Sequence, residues 1–158
     1  MHIREFKKDK QVSDFFIKRW GSDFIISGEE KLYGKDLPGF AAFENEQMVG
    51  LLTYNIKNNS CEIVTLDSLK ENSGIGTALI EAMIKKAADM RATRLWLMTT
   101  NDNVNAIRFY QKRGFVIKRI NINAIQKSRD LGQNIPRLGN YGIPIRDEIE
   151  FEYPLKEQ

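Results

Sequence analysis

Two glycines separated by one residue stand at the start of an apolar, helix-forming run. They are Gly74 and Gly76 in the stretch ENSGIGTALI, residues 71–80. Because these positions lack side chains, their backbone N–H groups can approach a diphosphate closely, and the helix that follows adds the positive end of its dipole. Thr77 can contribute a hydroxyl to the same anion. The stretch predicts a phosphate-binding loop, with a tight turn into a surface helix as the alternative.

Two common phosphate-binding motifs fit this stretch poorly. A Walker loop needs a lysine directly after its second glycine, and here Thr77 follows Gly76. A dinucleotide-binding fingerprint needs a third glycine and a strand that ends at the loop. Leu79 holds that third position, and residues 67–73 separate the predicted strand from the loop. The sequence therefore favours phosphate binding through the backbone alone.

The histidine and cysteine counts exclude several catalytic schemes. His2 is the only histidine, it lies at the terminus, and Cys61 is the only cysteine. Ser-His-Asp and Cys-His catalysis, an internal disulfide, and a histidine or cysteine-rich metal site are therefore not expected. Acid–base chemistry must rest on Asp, Glu, Tyr, Lys, water or the substrate, and we expect no metal.

The size and charge of the chain indicate an ordinary globular protein. It has 158 residues and a formal net charge of +3, and its basic runs are short and interrupted. A nucleic-acid-binding protein usually gathers its basic residues into one patch. No apolar run approaches the ~20 residues that span a bilayer, and no signal-peptide pattern is seen. We expect a single domain over 1–158, a cytoplasmic location, and no nucleic-acid or membrane partner.

The apolar periodicity predicts the elements that position the glycine loop. Strands are expected at about 2–6, 40–43, 48–56, 61–66, 94–100, 115–122 and 148–155, with helices at about 12–20, 75–90 and 104–113. Turn signals at Asn45-Glu46 and Asn58-Asn59 predict tight connections between the second, third and fourth strands. A glycine-rich segment at 21–38 is read as a short helix or strand followed by a loop, and residues 126–146 as a long loop. This order predicts a mixed sheet with helices on both faces, of the α/β or α+β class.

Two segments and the strand between them resemble the GCN5-related N-acetyltransferase (GNAT) superfamily. In SGIGTALIEAM, Gly74 and Gly76 match the family's loop pattern Q/R-x-x-G-x-G/A, which binds the pyrophosphate of acetyl-CoA, although Glu71 stands where the family has Gln or Arg. In NDNVNAIRFYQKRGF, the pattern N-x-x-A-x-x-F-Y-x-x-x-G-F is matched at Asn105, Ala106 (displaced by two places), Phe109, Tyr110, Gly114 and Phe115.

This resemblance implies a mostly antiparallel sheet of about seven strands, in which the fourth strand splays from the fifth. Pantetheine is expected to lie in the resulting slot and to pair with the edge of the fourth strand at Leu66, Asp67 and Ser68. Asn105 is expected to contact pantetheine, with a helix-capping role as the alternative. The diphosphate is then expected to contact Ser73, Gly74, Ile75, Gly76 and Thr77. Glu71 is expected to weaken or reposition one phosphate contact.

The resemblance also implies the chemistry. Tyr110 is expected to protonate the departing CoA thiolate, because a phenol is neutral at pH 7, and a core tyrosine is the alternative. Glu62, on the fourth strand, is the first candidate for the general base. Asp67, Glu148 and Glu150 remain alternatives. Strand alternation predicts that Glu62, Val64 and Leu66 face one side of the sheet, and Ile63 and Thr65 the other.

The expected function is acetyl transfer from acetyl-CoA to an amine, directly within a ternary complex. The amine would belong to a small molecule or a peptide, and residues 12–38 and 126–146 would shape its site. A non-catalytic acyl-CoA-binding module or sensor is the alternative function. Pairing of two copies through the C-terminal strand would give a homodimer.

Overall fold

The computed structural model describes residues 1–156. In chain order the strands and helices are β1 (His2–Phe6), α1 (Lys10–Trp20), β2 (Phe24–Ser27), β3 (Glu30–Tyr33), β4 (Gly39–Glu44), β5 (Gln47–Lys57), β6 (Ser60–Ser68), α2 (Ile75–Asp89), β7 (Arg94–Thr100), α3 (Val104–Lys112), β8 (Val116–Asn121), α4 (Ala124–Asp130) and β9 (Glu148–Tyr153). Short 3-10 helices occupy Gly34–Asp36 and Asn140–Gly142. No helix in residues 1–156 is long and apolar enough to cross a membrane.

Seven strands form one mixed sheet in the order β1-β4-β5-β6-β7-β9-β8. Only the β6–β7 pair in this part of the chain is parallel, which confirms the mostly antiparallel sheet. Two-residue turns at Asn45-Glu46 and Asn58-Asn59 join β4 to β5 and β5 to β6, and all four residues have positive φ. That conformation matches the twist of a tight hairpin, so both predicted turns are confirmed.

The fourth and fifth strands of this sheet, β6 and β7, separate along their length. They pair only from Ser60 with Arg94 to Ile63 with Leu97. Beyond that point β6 continues to pair with β5 as far as Ser68, and β7 continues to pair with β9 as far as Thr100. A gap therefore opens between residues 64–68 and residues 98–100, which confirms the predicted splay.

Helices cover both faces of the sheet. On one face α2 and α3 bury a large core with β4–β7 and β9, centred on fully buried side chains such as Leu79, Met83, Leu95 and Phe151. On the other face α1 packs through Phe16 against the β2–β3 hairpin and Val64 of β6. The two helical layers therefore approach the gap between β6 and β7 from opposite sides.

Two segments differ from the prediction. Residues 24–33 form the β2–β3 hairpin, and α4 occupies 124–130 inside the expected long loop. The helix buries Ile125 and Ser128, and Arg129 donates hydrogen bonds to the carbonyls of Ile135, Pro136 and Ile145. Seven residues are too few to show a helical period in the sequence, and these long-range contacts stabilise the helix.

Candidate active site

The two glycines of the loop are required for different reasons. Gly74 caps α2 with φ of 80°, in the left-handed region that favours glycine. Gly76 has ordinary helical geometry, but a Cβ there would lie 3.2 Å from Cζ of Phe109. The first helical hydrogen bond runs from the N–H of Ala78 to the carbonyl of Gly74. The N–H groups of residues 75–77 therefore have no partner within the helix and can bind an anion.

The glycine loop faces a basic cavity of about 360 Å³ between α2 and α3. Four basic side chains and one acidic side chain, Glu71, line it together with the loop; the basic residues are Lys70, Arg108, Lys112 and Arg113. None of these four basic side chains was predicted from the sequence to line the site. Their signal was present in the spacing of Arg108 and Lys112, four residues apart on α3. A cavity with this excess of positive charge suits a polyphosphate.

Arg113 holds Thr77 in place beneath this cavity. Its Nε and Nη2 donate to the Thr77 hydroxyl at 2.9 and 2.7 Å, and Nη1 donates to the Phe109 carbonyl at 3.0 Å. The guanidinium also stacks on the Phe109 ring, 3.6 Å from its centroid. Because the Thr77 oxygen accepts both bonds, its own hydroxyl proton is free to donate to an anion.

The predicted Ser68 and Ser73 side chains hold the loop. Both hydroxyls donate to the carbonyl oxygen of Lys70, at 2.8 and 2.6 Å. Asn72 between them has φ of 56°, which turns the chain sharply toward α2. The two hydroxyls therefore fix the shape of the loop that presents the backbone N–H groups.

A bulge at Val64 changes which side chains of β6 share a face. Thr65 pairs with Thr53 and Ile63 pairs with Tyr54, so Val64 is the extra residue. Leu66 consequently packs in the same core as Ile63, whereas Val64 packs on the α1 side. The alternation predicted for Leu66 and Thr65 was therefore wrong. The extra residue shifts the alternation by one position, so each side chain after the bulge lies on the opposite face of the sheet from the one that a regular strand would give it.

Leu66, Asp67 and Ser68 lie on the part of β6 that β7 does not pair. The Asp67 carboxylate accepts a 2.9 Å hydrogen bond from the Trp20 indole and lies 3.6 Å from Arg19 Nε. Burial raises the pKa of Asp67, and Trp20 and Arg19 oppose that shift. This carboxylate joins the end of α1 to β6, so it serves packing more directly than proton transfer.

Tyr110 lies in the core on α3, surrounded by aromatic rings. Its ring centroid is 5.3 Å from that of Phe109, 5.5 Å from Phe115 and 6.0 Å from Phe151. Burial, and then the negative charge of Asp67, raise the pKa of Tyr110 well above its usual value of 10.0. Every fully buried side-chain N or O atom in residues 1–156 has a hydrogen-bond partner, yet none is found for the Tyr110 hydroxyl. Because its pKa is raised, the hydroxyl keeps its proton at neutral pH.

Glu62 lies on the α1 face of the sheet and is 7% exposed. Its Oε2 accepts a 2.7 Å hydrogen bond from the Ser27 hydroxyl of β2. Burial raises the pKa of Glu62 to about 7; the charges of Glu30 and Glu148 add to the shift, and Ser27 and Arg94 oppose it. A carboxylate with this pKa can accept a proton near neutral pH.

A narrow cavity of about 170 Å³ lies beside Glu62 at the divergence of β6 and β7. Apolar side chains form most of its wall, contributed by α1, β2, β6, β7, α4 and the segment after α4; among them are Trp20, Ile25, Ile63, Met98, Ile125 and Ile135. Both segments expected to shape an acceptor site, 12–38 and 126–146, contribute to this wall. The lining suits an apolar chain that carries one polar end to Glu62.

A wider cavity of about 550 Å³ adjoins the narrow one and shares Glu62 and Glu148 with it. Glu30 and Glu150 add two more carboxylates, and Lys57 and Arg94 are its basic residues. Burial raises the pKa of Glu148; the Asn121 amide opposes the shift and the charge of Glu150 adds to it. The mouth of the site is therefore acidic, opposite in charge to the cavity at the glycine loop.

Two asparagines near the start of α3 lie in different places. Asn103 caps α3 by accepting from the N–H of Ala106 at 3.4 Å, and it lines the narrow cavity beside Glu62. Asn105 lines the basic cavity, and its Oδ1 accepts a 3.2 Å hydrogen bond from the Tyr141 hydroxyl. The spacing N-x-x-A-x-x-F-Y is met by Asn103 without displacing Ala106, a match that was not predicted from the sequence.

The basic cavity is formed by α2 and α3, and the acidic one lies on the α1 face, with the splayed strands between them. A sequence profile of the Acetyltransferase (GNAT) family matches residues 6–115. YdhI of Bacillus subtilis (strain 168) is 45% identical over 141 residues, covering 89% of this chain and 88% of YdhI.

Solved structures share the fold over nearly the whole chain. A Bacillus subtilis acetyltransferase in complex with CoA superposes with a TM-score of 0.71 at 17% identity, covering 98% of this chain and 99% of that one. A GNAT family acetyltransferase from Elizabethkingia anophelis with acetyl-CoA bound gives 0.70 at 20% identity, covering 98% and 97%. The profile match over residues 6–115 shows that the chain belongs to the Acetyltransferase (GNAT) family.

Proposed function

We propose that the protein transfers an acetyl group from acetyl-CoA directly to an amine nitrogen within a ternary complex. One observation carries this proposal: a buried carboxylate with a pKa of about 7, Glu62, lies in a cavity at the splay of β6 and β7. The basic cavity at the glycine loop lies on the other side of that splay. Family membership and the coenzymes bound by two proteins of this fold support the same conclusion.

Acetyl-CoA fits the basic cavity and the unpaired edge of β6. The diphosphate would accept hydrogen bonds from the N–H groups of residues 75–77 and from the Thr77 hydroxyl. The lysine and arginine side chains that line the cavity would neutralise its charge. Pantetheine would then extend along Leu66, Asp67 and Ser68 as an added strand. Asn105 would reach the coenzyme from the other wall of the basic cavity. This path leads the thioester from the basic cavity toward Glu62.

The proposed chemistry uses one base and one acid. Glu62 accepts a proton from the amine, directly or through water, and the amine nitrogen forms a bond to the acetyl carbon. The carbon–sulfur bond then breaks, and Tyr110 donates its proton to the CoA thiolate. Backbone N–H groups at the unpaired edge of β6 would stabilise the oxyanion that forms between these events. Glu148 and Glu150 remain alternative bases.

Turnover separates this enzyme from a non-catalytic acyl-CoA-binding module. Purified protein should bind acetyl-CoA in calorimetry and release free thiol when alkylamines, amino acids and short peptides are supplied. Thiol release above the hydrolysis background supports the enzyme. Binding without release by any amine would support the module, and the absence of binding would exclude both.

The Tyr110→Phe variant tests the general acid. We expect kcat to fall by about 10²- to 10⁴-fold, because the thiolate then leaves without a proton donor. The dissociation constant for acetyl-CoA should change little, since the hydroxyl makes no hydrogen bond that holds the fold.

Tyr54→Phe is the matched control for that variant. Tyr54 is another buried tyrosine, whose hydroxyl donates to Glu5 at 3.0 Å, away from both cavities. This variant should retain full activity. A Tyr110→Phe protein that acetylated at the full rate across the pH range would show that Tyr110 is not the acid.

A further inference from the structure

Two glutamates shared by the narrow cavity and the wider mouth lack a cationic partner in the described chain. Within residues 1–156, neither Glu62 nor Glu148 forms an ion pair, although Glu62 is buried and Glu148 half-buried. The other acids of this region form ion pairs: Arg94 lies 3.0 Å from Glu150 and 3.4 Å from Glu152, Arg119 lies 4.0 Å from Glu150, and Lys57 lies 3.7 Å from Glu30. Glu62 and Glu148 therefore have no ion-pair partner within residues 1–156, and Arg94, which pairs with Glu150 and Glu152, acts on Glu62 only from a longer distance.

The second carboxylate oxygen of Glu62 is available to a ligand in the cavity. Its side chain is more than nine-tenths buried, and only Oε2 has a partner, the Ser27 hydroxyl. Oε1 has none, yet every fully buried side-chain N or O atom of the described chain is hydrogen-bonded. Oε1 is therefore directed at open space in the cavity, where a donor from a ligand would satisfy it.

Glu148 stands across the same space from Glu62. On β9, Glu148 and Glu150 line the mouth, whereas Ile149 and Phe151 are buried in the core. The two carboxylates are close enough that the charge of Glu148 adds to the upward shift of the Glu62 pKa. Apolar side chains, including Met98 and Ile135, form one part of the wall of the cavity that they share, and polar side chains such as Thr99 and Gln133 form the rest.

We propose that the acceptor is an aliphatic diamine or a longer polyamine, with its reacting amine at Glu62 and a second ammonium group at Glu148. This assignment rests on the proposed acetyl transfer and specifies its substrate class. The methylene chain between the two nitrogens would contact the apolar wall. Acetylation would convert one nitrogen to an amide, with its proton passing to Glu62, while the other nitrogen keeps its charge.

The lining favours a diamine over other amines. A simple alkylamine would leave Glu148 without a cation, so it would gain only one of the two charge interactions. A peptide would bring backbone N–H and carbonyl groups against the apolar part of the wall, where unpaired polar groups cost free energy, and it would supply no second ammonium group for Glu148 unless it carried a basic side chain. An alkyl chain with an ammonium group at each end satisfies both carboxylates and the wall.

Rates with matched amine pairs test this inference. We would compare kcat/KM for α,ω-diamines, from 1,3-diaminopropane to 1,6-diaminohexane, with kcat/KM for the n-alkylamines of the same length. The wild-type protein should favour the best diamine over its alkylamine by about tenfold or more, which corresponds to ~1.4 kcal/mol. In Glu148→Gln this ratio should fall toward one, because the second ammonium group loses its partner.

Glu152→Gln provides the matched control. Glu152 lies on the same strand as Glu148, but it pairs with Arg94 and does not line either cavity. This variant should keep both the wild-type rate and the diamine preference, which shows that the effect belongs to position 148.

Each other outcome overturns the inference. A wild-type protein that acetylates alkylamines or short peptides as well as diamines would keep the proposed function and lose this substrate class. Retention of the diamine preference in Glu148→Gln would do the same. Thiol release that no amine raises above the hydrolysis background would end both proposals together.

Discussion

At the scale of single residues, burial determines what Glu62 can do. A solvent-exposed glutamate would be fully ionised at neutral pH and a weak base. Here desolvation and two neighbouring carboxylates bring the pKa to about 7, where the group can both accept and release a proton. The residue type was visible in the sequence, but its basicity depends on the side chains packed around it.

The pH dependence of the rate follows from this pKa. We expect kcat/KM for the amine to show an inflection near pH 7, because only ionised Glu62 can accept the amine proton. Glu62→Gln should lose that inflection and about 10²- to 10⁴-fold in rate. Steady-state rates over a pH series would measure both effects. An inflection that persists unchanged in the variant would assign it to another group, with Glu148 the first to test.

The Glu62 carboxylate also affects stability, and here the pH dependence is reversed: raising the pH favours catalysis but lowers the free energy of unfolding. In the unfolded chain Glu62 ionises near its ordinary pKa of 4.5, and in the folded protein near 7. Between these values the folded state binds more protons, so the free energy of unfolding falls as the pH rises, and the loss is complete above about pH 7.

Glu62→Gln should therefore stabilise the protein at alkaline pH. The gain should be up to about 3 kcal/mol at about pH 8 and nearly zero at about pH 4, where both states hold the proton. Thermal unfolding of both proteins across pH would reveal it. A melting temperature difference that does not vary with pH would contradict the shifted pKa.

At the scale of elements, the start of α2 shows how one motif combines two requirements. Gly74 provides a left-handed backbone, and Gly76 provides room for the Phe109 ring of α3. Phe109 in turn supports the guanidinium of Arg113, which holds Thr77. The glycine pattern therefore specifies both the anion-binding turn and the packing of α2 against α3.

Gly74→Ala should weaken acetyl-CoA binding in addition to straining the chain. The left-handed conformation should cost about 1–2 kcal/mol of stability, and relief of that strain should displace the N–H groups of residues 75–77. Gly21→Ala is a matched control, because Gly21 also caps a helix at positive φ, and at both glycines an added methyl group would have no atom within 4 Å. Calorimetry should show weaker acetyl-CoA binding only in Gly74→Ala. Equal affinity in the two variants would contradict the role of the loop.

At the scale of the whole molecule, two cavities of opposite charge converge on the splay between β6 and β7. The formal net charge of +3 is a sum over the whole chain, so it does not reveal that basic and acidic residues gather at different cavities. The basic cavity suits an anionic coenzyme and the acidic mouth suits a cationic amine, so each substrate is directed to its own face of the sheet. Cytoplasmic location and pairing of two copies remain predictions from the sequence.

Ionic strength should therefore raise KM for both substrates. The screening length falls from about 30 Å at 0.01 M salt to about 3 Å at 1 M, which weakens attraction at both cavity mouths. The effect on kcat should be smaller, because Glu62 and Tyr110 act in buried surroundings. Steady-state kinetics at low and high KCl would measure this. A salt effect confined to one substrate would show that only one cavity attracts its ligand by charge.

The sequence by itself determined most of the strands and helices along the chain, two hairpin turns and the resemblance to the GNAT superfamily. These features are local: a two-residue turn, a strand period and a glycine pair before a helix are encoded in neighbouring residues. The sequence also pointed to Glu62 and Tyr110 as candidates by residue type and position, and their roles remain predictions.

Only the tertiary structure decided which way those side chains face and what surrounds them. The bulge at Val64 arises from the pairing of β6 with β5, so no alternation along β6 alone could reveal it. Three features join residues more than 15 positions apart in the chain. They are the contact of Arg129 of α4 with Ile145, the hydrogen bonds from Arg113 to Thr77, and the proximity of Glu148 to Glu62. Contacts of that kind follow from packing the whole chain, because no local period records which distant elements will meet.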